Sequence, residues 1–183
     1  MGLTKLFLFM FAFSFLPAFV LADVKQTPAS DKSPDFTLAD QNGNSVTVSV
    51  LLKEYRGVVL AFYPKDDTGL WIKQFVEFQQ NIKKYEERKI KILGLSRDSA
   101  EPHRNFIIKH KLNDMTLLVD KNGGIAKLYD ADHWLLPLSR RVYIIIDKDM
   151  NIIYRKDMGF VLGFGLLEKQ TQTLLNEIDF HIK

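Results

Sequence analysis

Residues 58–63 read Val-Val-Leu-Ala-Phe-Tyr, an unbroken apolar run of strand length that ends against Pro64. A strand apolar at every position has no wet side, so it belongs at the centre of a sheet covered on both faces. The rest of the chain supplies the cover. From Trp71 onward, Phe75, Phe78, Ile82 and Tyr85 recur at spacings of three and four, with Lys83, Lys84, Glu86 and Glu87 on other faces. That is the pattern of an amphipathic helix. Residues 90–95 form the next expected strand, and Ser99 then reads as an N-cap, with Pro102 in the first turn of a helix reaching Lys111. A strand at residues 115–119 and a turn, Asp120-Lys121-Asn122-Gly123-Gly124, lead into a short helix ending at Tyr129. Residues 141–146 and 151–155 pair around Asp147-Lys148-Asp149-Met150, and residues 166–178 form a closing helix. At the front, Asp35-Phe36-Thr37-Leu38 and then Val46, Val48 and Val50 alternate on either side of Asn42-Gly43-Asn44. This predicts an opening hairpin, with a helical turn at residues 51–55 after it. Strands alternating with helices, and hairpins at both ends, predict an α/β fold with a sheet of mixed direction.

The first 22 residues have the layout of a secretory signal peptide. Lys5 supplies a positive charge, residues 6–21 carry none, and Val20-Leu21-Ala22 is a small-x-small site before Asp23. The competing reading is a retained anchor, which the short apolar run and Pro17 disfavour, since a spanning helix needs about 20 apolar residues. The expected organisation is a leader at 1–22 cleaved after Ala22, a linker at 23–33, and one domain at 34–183. Export to the periplasm or the medium follows, with no membrane association once the leader is gone. The formal net charge of +3 is close to balance and lacks the concentrated basic face of a nucleic-acid binder. The sequence contains no cysteine, so an exported fold of this kind has no disulfide framework and rests on its core alone.

Six segments then follow one another in a recognisable order. They are Ser33-Pro34-Asp35-Phe36-Thr37-Leu38, residues 58–68 with Tyr63-Pro64-Lys65-Asp66-Asp67-Thr68, and Leu93-Gly94-Leu95-Ser96-Arg97-Asp98-Ser99. Leu117-Leu118-Val119-Asp120, Ala126-Lys127-Leu128-Tyr129 and Arg141-Val142-Tyr143-Ile144-Ile145-Ile146-Asp147 complete the set. Through them the chain after its leader resembles a peroxiredoxin (AhpC/TSA family) of the bacterioferritin-comigratory, PrxQ-like type. The resemblance implies a thioredoxin-like three-layer fold, a central mixed sheet flanked by helices. It also implies thiol-dependent hydroperoxide reduction by a cysteine in the first turn of the helix after the Tyr-Pro strand.

Carried onto this chain, the family pattern of Pro, Thr, cysteine and a distant Arg falls on Pro64, Thr68, Trp71 and Arg141. The resolving cysteine often found five residues beyond the first falls on Val76, and Gly69 stands where a proline follows the Thr. Both sulfurs are therefore missing. A helix N-terminus and a guanidinium lower a thiol's pKa, and the Thr and Arg groups hold the peroxide oxygens. An indole has no ionisable nucleophile, donates a single N–H, and occupies far more space than a thiol. Trp71 is expected to fill the peroxide pocket as a packing plug, the rival reading being a stacking platform. Pro64 and Thr68 read as loop geometry and a helix-start cap, with ligand binding as the alternative. Arg141 reads either as an anion holder or as half of a plain ion pair.

The expected function is accordingly a non-catalytic binding protein; residual peroxidase-related activity and a structural or assembly role are the alternatives. No cofactor and no metal are expected. His103 and His110 lie two helical turns apart, about 10 Å along the axis and too far to share a metal. His133 and His181 are isolated, and the turn after Asp120 does not complete a calcium loop. Lys65, Asp66 and Asp67 read as a solvated loop. Two apolar stretches, with Trp134, Leu135 and Leu136 in one and Phe160 and Phe164 in the other, fall in expected loops. They read as core cover or as the surface for a protein partner.

Overall fold

The computed structural model describes residues 32–67, 69, 71–158 and 170–182. The expected leader, nearly all of the linker, and Thr68, Phe160 and Phe164 lie outside them. A short antiparallel hairpin, β1 (Thr37–Ala39) with β2 (Ser45–Thr47), opens the described chain and runs directly into α1 (Val48–Leu51). Here the structure departs from the sequence reading, which continued the strand through Val48 and Val50. Val48 and Leu52 are both buried, one helical turn apart, whereas Val50 is exposed. Beside the valine alternation that mimics a strand, Val48 and Leu52 thus make a helical stripe, and packing against the sheet selects the helix.

The main sheet is built on β3 (Gly57–Phe62), whose six residues are all buried. β4 (Ile90–Ser96) lies parallel to it on one side, with β5 (Thr116–Val119) parallel beyond. On the other side β6 (Val142–Asp147) is antiparallel to β3, and β7 (Ile152–Asp157) is antiparallel to β6. Successive side chains of β3 point to opposite faces, so Val59, Ala61 and Tyr63 enter one core while Val58, Leu60 and Phe62 enter the other. Each fully buried Val or Leu contributes about 1.5–3 kcal/mol of transfer free energy, which is why this strand tolerates no polar position.

The first core lies under α2 (Trp71–Gln80), α3 (Ile82–Glu86), α4 (Ala100–His110) and α6 (Gln170–His181). The second lies under the hairpin, α1 and α5 (Gly124–Leu128). The periodic stretch after Trp71 is two helices rather than one. At the break Asn81 leaves helical geometry (φ −109°, ψ 10°), and its side-chain amide donates at 2.9 Å to the Glu77 carbonyl, which also accepts the Asn81 backbone N–H. Gly94 on β4 sets how closely α2 approaches. A Cβ there would lie 2.6 Å from Leu117 Cδ2 and 2.8 Å from the Phe75 ring, so the absent side chain lets Phe75 rest on the strand. Ser99 sits at the N-cap of α4 in extended backbone but makes no side-chain cap bond. The closing helix is described from Gln170, and the expected start at residues 166–169 lies outside the described residues.

Candidate functional site

β3 ends at Phe62, and Tyr63 and Pro64 carry the chain, both buried, into the loop that leads to α2. Trp71 is the first residue of α2, where the initial backbone N–H groups lack helical partners. Arg141 directly precedes β6, which pairs with β3 so that Val142 lies opposite Phe62. That register carries Arg141 to the same end of the sheet as Trp71, and its guanidinium carbon stands 4.6 Å from the centre of the indole ring. A guanidinium over an aromatic face at this distance is a cation–π contact, worth about 0.5–2 kcal/mol depending on desolvation.

A narrow pocket adjoins this pair, lined by Trp71, Gln74, Arg141, Tyr143 and the aromatic side chains of β3 and α2. Its volume of about 10 Å³ is at the lower limit for one water molecule. Arg141 and Gln74 are each only 3% exposed. Arg141 Nη2 and Gln74 Oε1 are fully buried and find no hydrogen-bond partner among the described residues. No carboxylate among the described residues pairs with Arg141. Burial pushes the Tyr143 hydroxyl pKa up, while the charge and hydrogen bond of Arg141 pull it the other way. Sequence reasoning passed over Gln74, although its spacing of three from Trp71 puts the two on one face of α2.

Val76 is partly buried and packs against the core under α2. Pro64 is buried at the mouth of the loop, and Thr68 is not among the described residues. The solvated-loop reading of residues 65–67 fails at Asp66. Its carboxylate accepts from the Tyr63 hydroxyl at 2.7 Å and lies 2.6 Å from His103 Nδ1, both partners being buried. The Asp66 backbone N–H donates to Asp98 at 2.7 Å, and Ser96 donates to the same carboxylate oxygen at 2.9 Å. Burial first, and the Asp66 charge second, push the Tyr63 pKa well above its ordinary value. Asp67, next in sequence, faces outward to Lys109 at 2.8 Å and His110 at 2.7 Å. His103 and His110, too far apart to share a metal, thus fasten two consecutive aspartates, and α4 holds the loop that precedes Trp71. Among the described residues no group of three His, Cys, Asp or Glu side chains could hold a metal ion. Asp120 instead uses its carboxylate on the first N–H groups of α5, those of Ile125 and Ala126.

Core cover, the simpler reading of the apolar loop after Asp132, does not hold for its tip. Trp134 is 85% exposed, and Leu135 and Leu136 are exposed beside it. The loop is nevertheless shaped from within. An Asp132–Ser139 bridge closes its base, and His133 Nδ1 accepts from the backbone N–H groups of Leu135 and Leu136.

A mixed five-stranded sheet with helices on both faces, and a tyrosine–proline loop leading into α2 at its edge, define a thioredoxin-like α/β protein. Residues 29–155 match the model of the AhpC/TSA family. The chain belongs to that family of peroxiredoxins. The chloroplastic peroxiredoxin Q of Arabidopsis thaliana is 38% identical over 144 residues, covering 77% of this chain and 64% of that protein. The chloroplastic peroxiredoxin Q of Triticum aestivum is 38% identical over 118 residues, covering 63% and 52%. The chain thus spans between about half and two thirds of the length of these curated relatives. Among solved structures, the peroxidoxin BcpB of Mycobacterium tuberculosis superposes with a TM-score of 0.75 at 26% identity, over 85% of this chain and 99% of that one. The fold and the peroxiredoxin Q and BCP relationship are therefore those the sequence motifs implied, on a chain without cysteine.

Proposed function

We propose that this chain is an exported peroxiredoxin-family protein that has lost thiol peroxidase turnover and works by binding. The observation that carries this reading is the contact of Trp71 with Arg141 at the head of α2, in a chain with no sulfur nucleophile. On this reading position 71 is the seat of the peroxidatic cysteine and Val76 that of the resolving one. Pro64, Thr68 and Arg141 are then remnants of the site. Peroxide reduction needs a thiolate to take up an oxygen atom, and no other side chain here cycles in that way. The pocket beside the indole, with room for about one water, also leaves no space for an organic hydroperoxide. The exposed tip at Trp134, Leu135 and Leu136 supports a protein partner, because a large apolar group held in a fixed loop loses little entropy on docking.

A coupled peroxide-consumption assay with a thioredoxin-type reductant tests the central claim. Consumption should stop at the stoichiometric oxidation of methionines; sustained turnover overturns the reading. Export is tested separately by expressing the full chain and sequencing the N-terminus of the mature product. It should begin at Asp23, and retention of residues 1–22 in the membrane fraction would refute cleavage.

A further inference from the structure

The loop between α5 and β6 hangs its apolar tip on one ring nitrogen. The Asp132–Ser139 bridge closes its base, and the His133 N–H donates to the Leu138 carbonyl at 2.9 Å. At the apex the N–H groups of Leu135 and Leu136 turn inward, and both donate to His133 Nδ1, at 3.2 Å and 3.0 Å. Leu138 donates to the Leu136 carbonyl at 2.7 Å, and Pro137 has no N–H to place. The same imidazole stacks on the Trp134 indole, with ring centres 6.1 Å apart and planes 21° apart. One side chain therefore holds all three of the large apolar residues that stand exposed at the tip.

An imidazole nitrogen that accepts hydrogen bonds carries no proton, so the proton of the neutral ring sits on Nε2. A second proton makes Nδ1 a donor. Three N–H groups would then face one another at the apex, and the two amides would lose their acceptor. We propose that His133 is a proton-operated latch: the neutral ring holds Trp134, Leu135 and Leu136 in one docking form, and protonation of Nδ1 releases them. The charged groups of the described residues around the loop base are Asp132, Arg140 on the returning arm, Asp130 after α5, and Arg155 and Asp157 of β7. Arg140 meets Asp157 at 2.8 Å and Asp130 at 3.4 Å, and Arg155 meets Asp130 at 3.7 Å, so these charges largely answer one another. The inward amides, which only an unprotonated Nδ1 can accept, set the direction. The latch is closed while the ring is neutral and is lost as pH falls and the ring takes up its proton. The inference rests on the reading of this tip as a docking surface and supplies its regulation. A released tip must be ordered again on docking, which lowers its affinity for a partner.

Nuclear magnetic resonance of the mature chain tests the latch without a partner. At about pH 8, above the interval where imidazoles change charge, the His133 nitrogen shifts should report the Nε2–H form. The Leu135 and Leu136 amides should then be protected from hydrogen exchange. By about pH 5 their protection, referred to the unstructured rate at the same pH, should fall roughly 3- to 10-fold, the weight of one ordinary hydrogen bond. The fall should follow the His133 titration. His133→Asn puts a carbonyl oxygen that does not titrate within reach of the same amides, and should keep their protection at both pH values. His133→Ala should lack it at both. Three outcomes overturn the proposal: a proton on Nδ1 at the higher pH, a ring that stays neutral at the lower one, or amides that stay protected while the ring titrates. An equal fall in His133→Asn assigns the change to the other histidines and overturns it too. If a variant does not fold, the titration of the wild-type chain decides. Failure here leaves the docking and non-catalytic readings standing. Sustained peroxide turnover would remove the non-catalytic reading whatever His133 does.

Discussion

Replacing Asp66 with alanine takes the acceptor away from two buried groups at once. The Tyr63 hydroxyl loses its bond at 2.7 Å, and His103 Nδ1, fully buried, loses a carboxylate at 2.6 Å. Hydrogen bonds to a charged group contribute about 1.5–3 kcal/mol each. Breaking a buried pair by deleting one partner costs about 3–5 kcal/mol. The two bonds share one carboxylate, so the smaller total of about 3–5 kcal/mol is the expected loss for Asp66→Ala. For a chain of this length each kcal/mol lowers the melting temperature by about 2–4 °C, giving a fall of roughly 6–20 °C. Asp67→Asn is the control, because the left-handed backbone at Asp67 (φ 55°) suits asparagine and would strain alanine. It removes the charge from contacts to Lys109 and His110 of the same length, but the Asp67 side chain is 40% exposed, and surface pairs contribute about 1 kcal/mol or less. Urea unfolding followed by far-ultraviolet circular dichroism, with the denaturant slope held as a check on two-state behaviour, measures both. Two neighbouring aspartates with similar bond lengths should then differ several-fold in cost. Equal losses, or a loss under about 1 kcal/mol for Asp66→Ala, would refute the argument that burial rather than contact distance sets the value of these pairs.

Trp71→Cys should yield a thiol of lowered pKa, because the Arg141 guanidinium and the start of α2 both favour the thiolate; alkylation rate against pH reads it directly. If that thiol titrates near the ordinary value of about 8.5, position 71 is not a thiolate site. Gly94→Ala should cost about 1–3 kcal/mol in urea unfolding, since its Cβ would strike Leu117 and the Phe75 ring. Trp134→Asp should leave stability within about 0.5 kcal/mol, because the indole is exposed, and a larger loss would restore the core-cover reading. Acid should weaken the fold through Asp67 and Asp179. Hydrogen bonds from Lys109 and His110 hold the first carboxyl below its ordinary value of 3.8, and one from Arg88 holds the second there. Their contribution is complete above that value and is lost as pH falls through the lowered one. A stability–pH curve for Asp179→Asn should therefore be flatter below about pH 4 than that of the wild type.

The centre of the fold was legible because its cause is local. Six apolar residues at 58–63 can only be a strand covered on both faces, and the amphipathic stretch after Trp71 can only lie across it. The hairpin at Asp147 and the turn at Asp120 follow from residues adjacent in the chain. Legibility ended where two periods coincide or where partners are far apart. Val46, Val48 and Val50 satisfy a strand pattern, yet Val48 and Leu52 also satisfy a helical one, and only the sheet beneath them chose. Asp66 and Asp67 look alike in sequence, but the former meets His103, 37 residues away, inside the protein, and the latter meets Lys109 and His110 in the open.

The order of elements, the family frame and the missing sulfur were written in the sequence, since each depends on which residue stands where. Which charges are buried and which side chains meet were decided by tertiary structure. Trp71 and Arg141 stand at the start of a helix and the edge of a strand, and neither position specifies the other. The antiparallel register of β6 on β3 brings the guanidinium to the indole. The burial that makes this contact consequential comes from the packing of the whole sheet.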